Sequence, residues 1–309
     1  MHLSEVTKIV SDETRLVADG FFESCALLGR HSDKEKTRIA FVLKKEYVEV
    51  VVNDGIDCII CGEKVLDAIP VGYEGGVLVS KDPRMSFFEI HNHLTREKRQ
   101  KMVRKPSFVD STAVIEEGAI VSSHGVHIGK NVVIGSCAVI KENVTIGDGS
   151  VIMDGTIVGT PAFYHFGEGD RRQLAISAGG VKIGRNVHIH TNVAVEAGVL
   201  GGDTYIGDNT AIDHCLVIGH DAQIGKNCTI VSCSLIAGWV HIGDNSFVAA
   251  GVDIAPAVKI GRNSMLSIGA VVTKDVPDET QVTGNFAIEH KKFLELFKKQ
   301  ISTVETEGE

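Results

Sequence analysis

Positive charge is in short supply in this chain. Its 309 residues hold 31 Lys and Arg against 40 Asp and Glu, for a net charge of −9. Nucleic acid and anionic membranes are therefore disfavoured as main partners, though a local basic pocket for a phosphate is not excluded. Long apolar runs are also missing, since no stretch reaches the ~18 residues that a membrane-spanning helix needs. The amino terminus, MHLSEVTKIVSDETR, has acidic residues where a signal peptide has a basic and then an apolar run, which points to the cytoplasm. The seven cysteines are scattered and odd in number, so no disulfide framework is expected. Cys58 and Cys61 form a CxxC in an apolar segment with no second pair at metal spacing. They are read as buried structural thiols, and no metal site is expected.

Order is abundant. From Ile206 to Val272 an aliphatic residue stands at every sixth position, twelve times in succession. A shorter run, Ile128, Ile134, Ile140, Ile146, Ile152 and Val158, does the same. A helix repeats at about 3.6 residues and a strand at about 2, so neither explains a period of six. Flat six-residue sides wrapped as a triangular prism do. The fourth residue after each aliphatic is small or apolar (Thr210, Leu216, Ala222, Cys228, Ser234, Val240 and onward), as a second inward position requires. Gly, Asn and Asp follow the aliphatics, where the chain must turn. Three six-residue sides make a coil of 18 residues, and such coils stack as a solenoid.

The expected fold is mainly β, with three segments. Residues 1–106 read as a small α/β domain: LSEVTKIVSD as a helix, RIAFVLKKEYVEVVV, DCIICG and GGVLVS as strands, and KVLDAI and RMSFFEIHNHLTREKRQKMV as helical. Residues 107–282 carry the hexads, interrupted at length only by 160–180, expected as an extruded loop and a place for substrate selectivity. Residues 283–309 read as a helix and tail, starting near Gly284 or Asn285, with Phe293, Leu296, Phe297 and Ile301 on one face to cap the solenoid or meet another subunit.

Hexad interiors are packed, so chemistry belongs to outward positions. His220 is outward, two residues after Ile218, and Gly238 lies one 18-residue coil later. Stacked coils stand about 5 Å apart, so a general base would sit beside a backbone N–H able to hold an oxyanion. Transfer of an acyl group from a thioester to an amine needs that pair. Asp213, seven residues before His220, is a candidate to orient the imidazole or hold the amine. On composition alone His188, His190, His214 and His241 compete with His220.

The stretch from VGTPAFYHFGEGDRRQ to DHCLVIGHDAQIGKN resembles the LpxD family of hexapeptide-repeat N-acyltransferases, which act on a nucleotide-linked amino sugar. The resemblance implies a left-handed parallel β-helix, a loop leaving it at this place, and His220, Asp213 and Gly238 as catalytic positions. VTKDVPDETQVTGNFA and KDPRMSFFEIHNHL resemble the same family, so nearly the whole chain is covered. In the first domain Phe41 and Tyr47 match the family's aromatic clamp for a nucleotide base, which implies a nucleotide-binding domain. Lys44, His214, Phe163 and His165 are further candidate substrate contacts.

The departures are specific. Lys44 and His214 stand where the family has Asn, Ala257 stands where a phosphate-binding His is expected, and the C-terminal bundle is reduced to one helix and a tail. The expectation is thus a relative that acylates the amine of a UDP- or dTDP-linked sugar. It would use acyl-CoA in preference to an acyl carrier protein thioester, act as a homotrimer, and hold no tightly bound cofactor. Alternatives are the lipid A pathway N-acyltransferase itself, a sugar O-acetyltransferase, and a non-catalytic scaffold. A γ-class carbonic anhydrase would need His at position 225, which is Gly225.

Overall fold

A computed structural model describes residues 1–27, 36–284 and 287–306, with side chains of the last helix as far as Lys299. Asn285 lies outside the described residues. From Phe108 to Val282 the chain winds a left-handed β-helix whose sides are three parallel sheets of nine, eight and eight strands. Register is strictly by coil, so Val217 and Ile218 pair with Leu235 and Ile236, and these with Asp253 and Ile254. Every aliphatic of the Ile206 to Val272 series is buried, and so is every residue four positions on, from Thr210 to Ala270. Inward hydroxyls do not go unpaired. Thr210 donates to the Gly225 carbonyl, Ser234 to that of Ala249 and Ser246 to that of Gly261.

Each corner turns on one left-handed residue, three positions after the aliphatic. Asn209, Cys215, Asp221, Asn227, Cys233, Trp239, Asn245, Gly251, Ala257, Asn263 and Gly269 all have φ between 53° and 69°. The three corners differ in what they put there. The first stacks Asn186, Asn209, Asn227, Asn245 and Asn263 into an amide ladder with spacings of 3.0–3.3 Å, a structural device. The second has Cys215, Cys233, Gly251 and Gly269, and the third has Asp221, Trp239 and Ala257.

The first segment is α/β. Its sheet runs in the order Thr14–Ala18, Gly76–Ser80, Cys58–Cys61, Arg38–Val42, Ser24–Cys25, parallel except for the first strand. Burial pushes the Cys58 and Cys61 thiols up to about 11, which fits packed rather than reactive groups. Two sequence expectations fail here. The first helix is only Leu3–Val6, and the strand expected to run through VEVVV ends at Val42. Val48–Asn53 is instead a helix that buries Val48 and Val51 and exposes Val50 and Val52. Three-residue spacing of the buried valines overrides their strand propensity.

The segment 160–180 stands outside the three β-helix sheets as a hairpin, His165–Phe166 against Gln173–Leu174, in the seam between the first domain and the β-helix. Phe166 stacks on Phe88 at 5.3 Å, and Ala162 and Ala175 join the same core. The long helix Pro83–Lys101 ties it down: Asn92 bonds to Leu174 and Ile176, Arg99 to the Ser177 carbonyl, and His91 Nε2 to the Ile176 carbonyl at 2.8 Å. At the other end of the chain, the His290–Thr306 helix leaves Phe293, Leu296 and Phe297 exposed. The side chain of Ile301 lies outside the described residues. No helix among the described residues is long and apolar enough to cross a membrane.

Burial holds the His91 imidazole below the usual histidine range, against the pull of its bond to Ile176. The unfolded chain therefore takes up the proton more readily than the folded one, so stability is complete above about pH 6.5 and declines as pH falls below it. The drop in melting temperature from pH 7.5 to 5.5 is expected to be smaller in His91→Gln than in the parent; equal drops would contradict the assignment.

Candidate active site

The third corner gathers the chemistry. His220 is almost fully buried, at 6% exposure. Its Nδ1 faces Asp221 Oδ2 at 2.9 Å, which fixes the ring when Nδ1 carries the proton. The left-handed φ of 57° at Asp221 folds the carboxylate back onto its sequence neighbour. The same Oδ2 accepts the Val199 amide at 2.8 Å, and the Asp221 amide donates to Thr204 Oγ1 at 2.9 Å. The His220 amide donates to Glu196 Oε2 at 3.1 Å, while Glu196 Oε1 accepts the Phe163 amide at 3.2 Å. Base, carboxylate and seam are thus one connected network.

Gly238 lies against the imidazole. A Cβ there would sit 2.5 Å from His220 Nε2, so no side chain fits. The Gly238 amide donates no hydrogen bond among the described residues. The reason is one coil on. At the equivalent turn position elsewhere the amide finds an Asp side chain of the next coil, as in Lys130 to Asp148, Lys226 to Asp244 and Arg262 to Asp278. Eighteen residues after Gly238 stands Pro256, which offers no such acceptor. Among the described residues Nε2 of His220 likewise has no hydrogen-bond partner, yet it is not sealed from solvent. Two aromatic rings wall the imidazole edge-on, Trp239 at 4.2 Å and Tyr164 at 5.5 Å. Arg84 reaches the Tyr164 hydroxyl at 3.2 Å.

Other residues singled out from sequence are placed differently. Asp213 and His214 belong to the second corner, and they bond to each other rather than to His220. The carboxylate that orients His220 is Asp221, not Asp213. Phe41 is packed on Phe87 at 5.0 Å and Phe88 at 6.4 Å, inside the first domain, while Tyr47 is exposed. The strand stops at Val42 and the chain turns into a 3-10 helix, Lys45–Tyr47, that ends on the exposed Tyr47 ring. Lys44 pairs with Glu46 at 3.6 Å on the surface. Phe163 and His165 do stand at the seam, ring to ring at 4.7 Å, with Phe163 81% exposed.

Sequence reasoning missed Asp221, Glu196 and the walls Tyr164 and Trp239. It also missed a second break in the repeat. Val195 to Ile206 is eleven residues where the period is six, and the five extra residues carry GVLGG. That break presents Glu196 and the Val199 amide to His220 and Asp221. A separate groove of about 570 Å³ lies where the parallel strands of the first domain end, among Arg15, Leu43, Gly62, Lys64, Ser80 and Lys81. Strand ends of this kind are the usual ligand edge of α/β sheets.

Comparison with known proteins gives the same frame. Residues 203–238 match the family described as bacterial transferase hexapeptide (six repeats), and residues 125–160 match the hexapeptide repeat of succinyl-transferase. No curated protein matches the chain. Among solved structures, a UDP-N-acetylglucosamine acyltransferase from Campylobacter jejuni is 30% identical, over 58% of this chain and 72% of that one, with a TM-score of 0.47. One from Francisella novicida is 29% identical, over 57% and 67%, with a TM-score of 0.39. A perosamine N-acetyltransferase from Caulobacter crescentus, in complex with CoA and GDP-perosamine, is 12% identical over 87% and 96%, with a TM-score of 0.22. The repeats of residues 125–160 and 203–238 are thus those of the hexapeptide-repeat transferase models, carried on a left-handed β-helix.

Gly238→Ala is expected to push the imidazole off its present position while costing only about 1–3 kcal/mol of stability, the usual range for overpacking. The ring resonances of His220 report the displacement; unchanged shifts and titration in the variant would contradict the contact.

Proposed function

We propose that the protein is an N-acyltransferase, moving an acyl group from a thioester, acyl-CoA in preference to acyl carrier protein, to the amine of a nucleotide-linked sugar. The observation that carries this reading is the opposition of His220 Nε2 to an unengaged Gly238 amide, with Nδ1 held by Asp221. With its proton on Nδ1, the imidazole presents a basic Nε2. The acceptor amine attacks the thioester carbonyl and gives its proton to Nε2. The Gly238 N–H takes the developing oxyanion, and Asp221 stabilises the imidazolium. The C–N bond forms as the C–S bond breaks, and the proton passes from His220 to the departing thiolate. Asp213 does not reach the imidazole, and its part in this reading is to hold the acceptor amine.

The nucleotide base is assigned to Phe41 and Tyr47 and its diphosphate to the strand-end groove of the first domain, where Lys64 and Lys81 supply positive charge while Arg15 is held by Glu63. Pro83 lines that groove, and the next residue, Arg84, touches Tyr164 over His220. Phe163 and His165 are the nearest exposed contacts for the sugar.

Assembly as a homotrimer is part of the reading. Of the three β-helix faces, the one between the second and third corners is largely apolar outward, with Ile120, Ile157, Val217, Leu235 and Val271 exposed and Asp253 the one charge in the column. Several large apolar residues in one column mark an interface. Association through that face sets the corner of His220 beside a neighbouring subunit. Leu235→Asp combined with Val217→Asp is expected to yield monomers by light scattering with a little-changed melting temperature; persistence of the trimer would rule this face out.

The direct test is a panel of UDP- and dTDP-amino sugars, with hydroxyl analogues, against short and long acyl-CoAs and acyl carrier protein thioesters, read as released thiol. Release should require the amine. His220→Ala should lower kcat/KM by about 10²–10⁴, the usual contribution of a general base, with the fold intact. Near-normal turnover in that variant would sink the mechanism, and no release with any thioester would favour a scaffold.

A further inference from the structure

The second corner carries a different set of ligating groups. His190 and Asp213 follow Ile189 and Ile212, which pair in register, and His214 follows Asp213. The His190 amide donates to the Ile212 carbonyl at 2.9 Å, and the Asp213 amide to the Ile230 carbonyl at 2.8 Å, so the backbone under all three is locked into the coil ladder. One ligand atom from each of the three side chains lies within 4.8 Å of the others. The His190 and His214 rings stand 4.8 Å apart, tilted at 58°. The His190 imidazole makes no hydrogen bond among the described residues, and Asp213 accepts from His214 and from the Ser232 amide. All three side chains keep solvent access.

We propose that His190, Asp213 and His214 form a binding site for one divalent transition-metal ion per chain, of the Zn²⁺ or Co²⁺ class. Two imidazoles and a carboxylate select such ions over Mg²⁺ and Ca²⁺, which prefer all-oxygen shells. Three protein ligands on an open corner leave at least one coordination position for water or an anionic oxygen of a ligand. Stacked coils preorganise the donors, so binding does not have to order a loop. The site is not legible in the repeat because His190 and Asp213 are 23 residues apart, and they meet only because the GVLGG break adds five to one coil.

The test uses the full-length protein, stripped with chelator and dialysed. Zn²⁺ is titrated by calorimetry, and Co²⁺ by its visible d–d absorption, which reports imidazole ligation directly. The expected result is one ion per chain, a higher melting temperature with Zn²⁺, and a dissociation constant at least about tenfold weaker in His190→Ala and in His214→Ala. His220→Ala and His241→Ala, at other positions of the coil, should bind as the parent does. Asp213→Asn, which keeps the shape, should bind more weakly than the parent. Binding that survives unchanged in the His190→Ala, His214→Ala double variant would overturn the site. So would the absence of saturable binding by the parent. Because the readout is metal occupancy, it stands apart from the acyl-transfer reading.

Discussion

Parallel hydrogen bonding between unbroken coils forces residue i to lie over residue i + 18, and the pairing of His220 with Gly238 inherits its geometry from that rule. Val217 and Ile218 pair with Leu235 and Ile236. Two residues along, His220 must then stand over Gly238. The core fixes the register because each coil seals inward aliphatics and their partners four residues on. A slip of one residue would turn that entire set outward, so the spacing of base and amide is as stable as the core itself.

On this scaffold, chemistry is a matter of which corner departs from the structural default. The amide ladder of Asn186 to Asn263 shows the default, with every turn satisfied by its neighbour. At the third corner that satisfaction is withheld. Gly238 removes a side chain, Pro256 removes the acceptor for its amide, and Asp221 and Trp239 take left-handed conformations that turn their side chains onto His220. Left-handed φ at non-glycine residues costs on the order of 1 kcal/mol each, and here the corner imposes it at positions where the side chains also meet the imidazole. The two breaks in the repeat complete the pocket. The hairpin of the first supplies Tyr164 as a wall, and the second supplies Glu196 and the Val199 amide.

The sequence made the β-helix legible because a period of six survives inspection without any knowledge of contacts. The coil arithmetic also brought Gly238 to His220, since it needs only the number 18. What failed was whatever depended on where a side chain turns. Spacing and the resemblance point to Asp213, whereas the carboxylate on the imidazole is Asp221, which only the left-handed corner folds back onto its neighbour. The strand through Phe41 ends at Val42, where the pattern of RIAFVLKKEYVEVVV reads as continuing, and half-buried Phe41 packs on Phe87. The segment 160–180 reads as a loop leaving the coil, and nothing in its pattern marks Phe166, Ala162 and Ala175 as core residues of a domain seam. Short apolar residues in a segment without period carry no direction, and the fold alone decides which surface they cover.

The central claim is that the His220 imidazole and the Gly238 amide act on one carbonyl. The most direct measurement is a crystal structure of the assembled protein with a non-transferable thioester analogue and an acceptor sugar. The account predicts the analogue's carbonyl oxygen within hydrogen-bond reach of the Gly238 N–H and the acceptor nitrogen facing His220 Nε2, at about 2.6–3.2 Å. A carbonyl bound elsewhere, with Gly238 and Nε2 left facing solvent, would contradict it.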